Sequence, residues 1–288
     1  MVASVTASTD LLRIRLLGDL ELRRGDAVLP LPQSRRTRAL LGYLVATAVP
    51  QSRSALCDLL WDGPDDPRAS LRWSLTKLRA VIDDALAQRL VADRDRVGFE
   101  AQRCEVDTQR VQALLVGGID AAPLAALEQA AACLQGEFLD GLDLPACYRF
   151  HHWCMAERER LGGLRRAVLG ALVARLEAEP GRALPHGHAM VAADPLAEGP
   201  HAALVRLLAA AGRYPDAERH YAWARDLLRR EIALPAGGPL DEAIHRVRRD
   251  QRSASDSAPM QARAGRPATM QATPAEPTAT APAPAAGD

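Results

Sequence analysis

Lysine is nearly missing from this chain of 288 residues: Lys77 is the only one, and the other 35 basic residues are arginines. A phosphate-binding loop of the G-x-x-x-x-G-K-[ST] type needs its lysine behind glycines, and Lys77 lies in SLTKLRA, which has none. Schiff-base chemistry has the same single candidate. Aromatic residues are scarce at 4%, while alanine and leucine dominate, which favours helices packed on small side chains. No apolar run approaches the roughly 20 residues of a membrane-spanning helix, and Arg13 and Arg15 interrupt the stretch near the start that a secretory signal would need. Five cysteines (Cys57, Cys104, Cys133, Cys147, Cys154) form no C-x-x-C pair, and this odd set reads as reduced cytoplasmic thiols rather than a disulfide framework. Neither G-x-S-x-G nor H-E-x-x-H occurs, and no glycine-rich loop follows a strand, so neither enzymatic activity nor a cofactor is expected. Net charge is lacking as well. Thirty-six basic and 36 acidic side chains cancel, so a nucleic-acid partner would have to be met by a local patch.

What is present separates into blocks. Residues 11–100 open with the short alternating runs LLRIRLLG, DLELRRG and AVLPL, punctuated by Gly18 and Gly25, which predict a small antiparallel sheet. Three helical stripes follow: Leu40, Leu41, Leu44 and Val45; then Leu56, Leu59 and Leu60; then Leu71, Leu75, Leu78 and Ile82. Ser34, Ser52 or Ser54, and Asp66 suit their N-caps, and Asp62-Gly63-Pro64 breaks the chain between helices two and three. LVADRDRVGFE then returns to strand–turn–strand, with Asp93–Arg96 as the tip. A sheet, three helices and a closing hairpin is the order of a winged helix-turn-helix domain, of α+β class. Residues 101–250 are helical almost throughout. Ala217-x3-Tyr221-x2-Ala224 matches the second helix of a 34-residue helical-hairpin repeat, with Gly212 at the turn before it. One period earlier stands Ala183, but Gly187 replaces the aromatic and Pro185 lies in that helix. This predicts an all-α bundle of TPR-like hairpins. Residues 1–10 are expected to be flexible, and 251–288, rich in alanine and proline, to form a disordered tail.

The cancelled charge is unevenly placed. Residues 34–79 carry eight basic and four acidic side chains, whereas 101–250 carry 18 basic and 20 acidic ones. The excess therefore falls on the winged-helix segment. With Leu71, Leu75, Leu78 and Ile82 inward, helix three turns Ala69, Arg72, Trp73, Thr76 and Arg79 or Ala80 outward, with Lys77 beside them. A helix in the major groove reads bases with a few such residues: Arg72 can pair with guanine, and Thr76 can bond a base or touch a thymine methyl. Arg68, Ser70, Lys77 and Arg79 suit phosphates, as does Arg53 at the start of helix two; Arg94 and Arg96 at the hairpin tip suit the neighbouring minor groove. Two other readings compete. The cluster can be a solvated arginine-rich face on an interaction scaffold that no longer binds DNA, with the TPR-like part docking a partner. Cys147-x3-His151-His152-x-Cys154 would, on a helix, put Cys147, His151 and Cys154 on one face fit for a soft metal; otherwise the thiols are small buried hydrophobes.

The succession RIRLLGDLEL, SRRTRALLGYL, SRSALCDLLW and RASLRWSLTKLRAVI resembles the OmpR/PhoB-type winged helix of SARP-type regulators. EVDTQRVQALL, GEFLDGL, Trp153 with Glu157-Arg158-Glu159-Arg160-Leu161, DPLAEGPHAALVRLLAAAGR and DAERHYAWARDLLRREIALP resemble the bacterial transcriptional activator domain (BTAD) that follows it in that family. The resemblance covers about 11–250. It implies a cytoplasmic, nucleoid-associated transcription activator on double-stranded DNA, binding direct repeats as a homodimer, with the helical domain touching itself or RNA polymerase. Ala233 stands where the family usually has glycine. No receiver-length segment precedes residue 11, so control by a phospho-acceptor domain is not expected.

Overall fold

A computed structural model describes residues 11–61 and 66–257. Expectations for 1–10, for Asp62-Gly63-Pro64 and for 258–288 lie outside the described residues. Strands β1 (Leu12–Arg15), β2 (Glu21–Arg24) and β3 (Ala27–Val28) form an antiparallel set. In β1 the two-residue period buries Leu12 and Ile14 and exposes Arg13 and Arg15. Helix α1 (Arg35–Thr47) follows, then β4 (Gln51–Ser52), α2 (Arg53–Leu60) and α3 (Pro67–Ile82). Their N-caps are Ser34, Ser52 and Asp66, whose side chains accept from Thr37, Ala55, and both Arg68 and Ala69 backbone N–H groups. All four stripe residues of α3 are buried. The hairpin β5 (Leu90–Ala92) and β6 (Arg96–Phe99) joins β4 in a second sheet, ordered β4-β6-β5. This is a winged helix.

The chain then runs back. Strand β7 (Cys104–Val106) pairs in parallel with β1, completing the order β3-β2-β1-β7, so the first sheet draws a strand from beyond residue 100. Helices α4 (Asp107–Leu114), α5 (Leu124–Cys133), α6 (Tyr148–Arg175), α7 (Pro180–Ala193), α8 (Glu198–Ala210), α9 (Tyr214–Ile232) and α10 (Pro239–Ser257) complete the order. Residues 251–257, expected in the tail, continue α10.

The two halves interlock through the GEFLDGL segment. Gly18 N–H donates to the Glu137 carbonyl at 2.7 Å, Leu139 N–H to the Leu16 carbonyl at 2.7 Å, and Asp140 N–H to the Gly18 carbonyl at 3.0 Å. Asp107 adds a side-chain tie, its Oδ2 accepting from Leu16 and Leu17 N–H, both at 2.8 Å. Burial raises the Asp107 pKa, and the backbone donors oppose that rise. Arg35 Nη2 donates to the Gly141 and Asp143 carbonyls, each at 2.9 Å, and Arg158 donates to the Phe138 and Leu139 carbonyls, also at 2.9 Å. Two glycines permit this fit. A Cβ on Gly136 would lie 2.8 Å from Gly18 Cα, and one on Gly42 would lie 2.8 Å from Leu139 Cδ1.

Apolar packing divides elsewhere. One core runs from Leu12 to Leu172 and takes in the winged helix with α4, α5 and most of α6. A second, from Leu176 to Val247, lies among the hairpin helices that follow. Ala183 and Ala217 are both fully buried at equivalent places of α7 and α9, as a repeat requires. Gly187 has a steric cause: a Cβ there would fall 2.8 Å from Leu207 Cδ1, so α7 and α8 approach too closely for the expected aromatic. His201, wholly buried in α8, hydrogen-bonds His220 at 3.1 Å and the Pro195 carbonyl at 2.9 Å. Burial, then the neighbouring His201 and His188, push the His220 pKa down to about 4, so His220 is neutral at pH 7.

Two backbone positions give opposite expectations. Gly136 has φ +87° and no room for a methyl, so Gly136→Ala should cost roughly 2–4 kcal/mol of unfolding free energy in urea titration. Ala233 caps α9 at φ 51°, a left-handed conformation that favours glycine, so Ala233→Gly should stabilise by about 0.5–1 kcal/mol, raising the melting temperature.

Candidate nucleic-acid interface

The α2 N-terminus, α3 and the hairpin tip enclose a groove of about 810 Å³. Six of the ten residues singled out from the sequence line it: Arg53, Arg68, Arg72, Thr76, Arg79 and Arg94. The buried stripe residues Leu71 and Leu75 form part of its wall, and Ser52 and Ser54 stand at the α2 end. Five arginines face two acids, Asp93 and Asp95, so the lining carries an excess of three positive charges.

The groove does not hold the only free arginines, since Arg103, Arg110, Arg149 and Arg206 are also exposed, with guanidiniums bonded to no described residue. Across the rest of the described structure guanidiniums are widely engaged: Arg13 with Glu105, Arg15 and Arg23 with Glu21, Arg166 with Glu159, and Arg230 with Asp226. Among the described residues no carboxylate or carbonyl is bonded to the guanidinium of Arg68, Arg72, Arg79, Arg94 or Arg96, while all five are exposed. Exposed cations gathered in excess of their counter-charges raise the local potential and attract anions.

Arg53 has a structural task as well. Its Nε donates to the Asp93 carbonyl at 3.0 Å and its backbone N–H to the Asp95 carbonyl at 2.9 Å, which ties the hairpin tip to the start of α2. Asp93 closes the tip from within, one oxygen accepting from the Asp95 and Arg96 N–H groups at 2.7 Å each. These two bonds hold its carboxyl below the ordinary carboxylate pKa. The sequence pattern placed Asp93 at the start of the tip but assigned neither aspartate a role in the site, although Asp followed two residues later by a turn N–H is a known local signature.

The remaining four residues lie outside the groove. Thr76 within it donates its hydroxyl proton to the Arg72 carbonyl at 3.0 Å, which leaves an acceptor and a methyl for a ligand. Arg96 begins β6, paired with Ser52. Ser70 and Trp73 line a separate hollow on the other side of α3, and Lys77 Nζ sits 5.5 Å from the Trp73 ring centre. Trp73 is 53% exposed and fills no interior groove. The proposed soft-metal cluster does not assemble: Cys147 precedes α6 with its thiol on the Leu60 carbonyl at 3.4 Å, Cys154 is buried in the first core, and no metal-binding group of three occurs among the described residues. Among them, no helix is long and apolar enough to cross a membrane.

A winged helix bearing a basic groove, followed by a TPR-like helical bundle, is the architecture of a class of transcription regulators. A model of the bacterial transcriptional activator domain matches residues 99–248, just over half of the chain, which belongs to that family. Among solved structures it is similar to Mycobacterium tuberculosis EmbR in complex with a low affinity phosphopeptide, at 22% identity and a TM-score of 0.55, over 86% of this chain and 69% of that one. That likeness shows the fold. No curated protein matches the chain in sequence.

The tip geometry makes a prediction. Asp93→Ala should abolish hydrogen-exchange protection of the Asp95 and Arg96 amides while α3 stays protected. In the unaltered protein the same protection should be complete above the ordinary carboxylate range and fall only as acid protonates Asp93, because its pKa is depressed.

Proposed function

We propose that this chain is a sequence-specific DNA-binding activator of transcription that lays α3 in the major groove. The observation that supports it most is the convergence of five arginines on the groove between α3 and the wing. Arg72 and Thr76 lie toward the base edges, where a guanidinium can bond guanine O6 and N7 and the Thr76 methyl can meet thymine. Arg68 and Arg79 hold phosphates, and Arg94 and Arg96 reach from the wing toward the adjacent minor groove. In this reading the chain acts as a homodimer on direct repeats, with the helical domain serving dimerisation or contact with RNA polymerase. The scaffold reading has no observation of its own in its favour, whereas the groove gathers its arginines on one face.

Binding-site selection from random duplex with the full chain should return one motif in two tandem copies. Against that motif Arg72→Ala should cost about 1–3 kcal/mol and relax the preference at one base. Weak binding indifferent to sequence at physiological salt would instead support the scaffold.

A further inference from the structure

Helix α3 is flanked on both sides. At 3.6 residues per turn, Arg68, Arg72 and Arg79 lean toward the wing, and Ser70, Trp73 and Lys77 lean the other way. On that second side a hollow of about 430 Å³ opens between α3 and the start of α1, lined by Ser70, Trp73 and Arg36 among others. Arg36 belongs to the segment SRRTR, whose three arginines have different fates. Arg35 donates to the Gly141 and Asp143 carbonyls, and Arg38 to the Pro32 and Gln33 carbonyls. Arg36 is exposed, and no bond or ion pair joins it to any described residue. It sits in the first turn of α1, which carries no acidic residue, where the helix dipole disfavours a cation. A local rule is thus broken there with no return among the described residues.

We infer that Arg36 and Lys77 grip the phosphate backbone of the DNA strand opposite to the one held on the wing side. The inference rests on the DNA-binding reading above. The major groove is about 12 Å wide and is bounded by two phosphate backbones, so a helix lying in it meets one on each flank. The wing-side arginines can reach only the nearer of them. Arg36 and Lys77 supply two cations for the other, and Trp73, with Lys77 over its ring, gives an apolar face against deoxyribose. The two flanks together centre α3 in the groove, which fixes the depth at which Arg72 and Thr76 meet base edges.

The test is fluorescence anisotropy of the full chain on a labelled random-sequence duplex of about 30 base pairs, titrated across salt. Arg36→Ala should weaken binding roughly threefold to tenfold and make the plot of log affinity against log salt shallower by about one. Combining it with Lys77→Ala should make it shallower by about two, and Arg36→Lys should restore the slope. Arg206→Ala, an exposed arginine on α8, controls for charge loss alone and should change nothing. An unchanged slope in Arg36→Ala, with Arg94→Ala still reducing it, would overturn the second-strand contact and leave DNA binding standing. If the unaltered chain shows no salt-dependent binding, the DNA reading fails, and the contact with it.

Discussion

Backbone hydrogen bonds between Leu16–Gly18 and Glu137–Asp140 are the constraint on which the rest of this molecule depends. They graft a loop of the helical half onto the end of β1, and Asp107 and Arg35 add side-chain ties on either side of the graft. A buried backbone group without a partner costs about 1–3 kcal/mol, so neither half can keep this surface if the other departs. Packing says the same. Leu139 seats against Gly42 of α1, and Phe138 and Tyr43 both meet the Trp153 ring edge-on, at 5.6 and 4.7 Å between centroids. The first hydrophobic core consequently ends inside α6 rather than at the wing.

This arrangement gives the basic groove a rigid back. Helix α3 packs on α1 through its leucine stripe and through a buried Thr37–Ser74 hydroxyl pair at 2.9 Å, and α1 is held in turn by the GEFLDGL loop. The wing is fastened by Arg53 at one end and by Arg89 at the other. Arg89 is wholly buried, and its guanidinium is satisfied by Asp84 and by the Ile82, Gln102 and Arg103 carbonyls. The near-exclusive use of arginine gains a physical sense here. A planar fork with five donors can bridge several carbonyls at once, as Arg35, Arg89 and Arg158 do, and the same fork matches phosphates and guanine where it is left free.

Much of this was legible in the sequence, and the reasons differ by element. The leucine stripes of the three helices and the polar caps are local signals, so Ser34, Asp66, and either Ser52 or Ser54 could be named as caps beforehand. The outward face of α3 follows from periodicity alone, and with it Arg72, Thr76 and Arg79 of the groove. Tertiary decisions were not legible. That β7 would pair with β1, that Arg35 and Arg38 would spend their charge on carbonyls while Arg36 would not, and that Gly187 would answer to Leu207 all depend on partners distant in sequence. Cys147 and Cys154 looked like ligands by spacing because the pattern could not show that α6 begins after Cys147 or that Cys154 turns into the core.

The central claim is that the winged helix and the first helices of the activator domain are one cooperative structure. Native-state hydrogen exchange of the full chain in rising urea measures this directly, by comparing amides of β1 with amides near Leu161–Leu172 of α6. The two sets should open with the same free energy and the same urea dependence. Separate openings, with α6 exchanging while β1 stays protected, would contradict it.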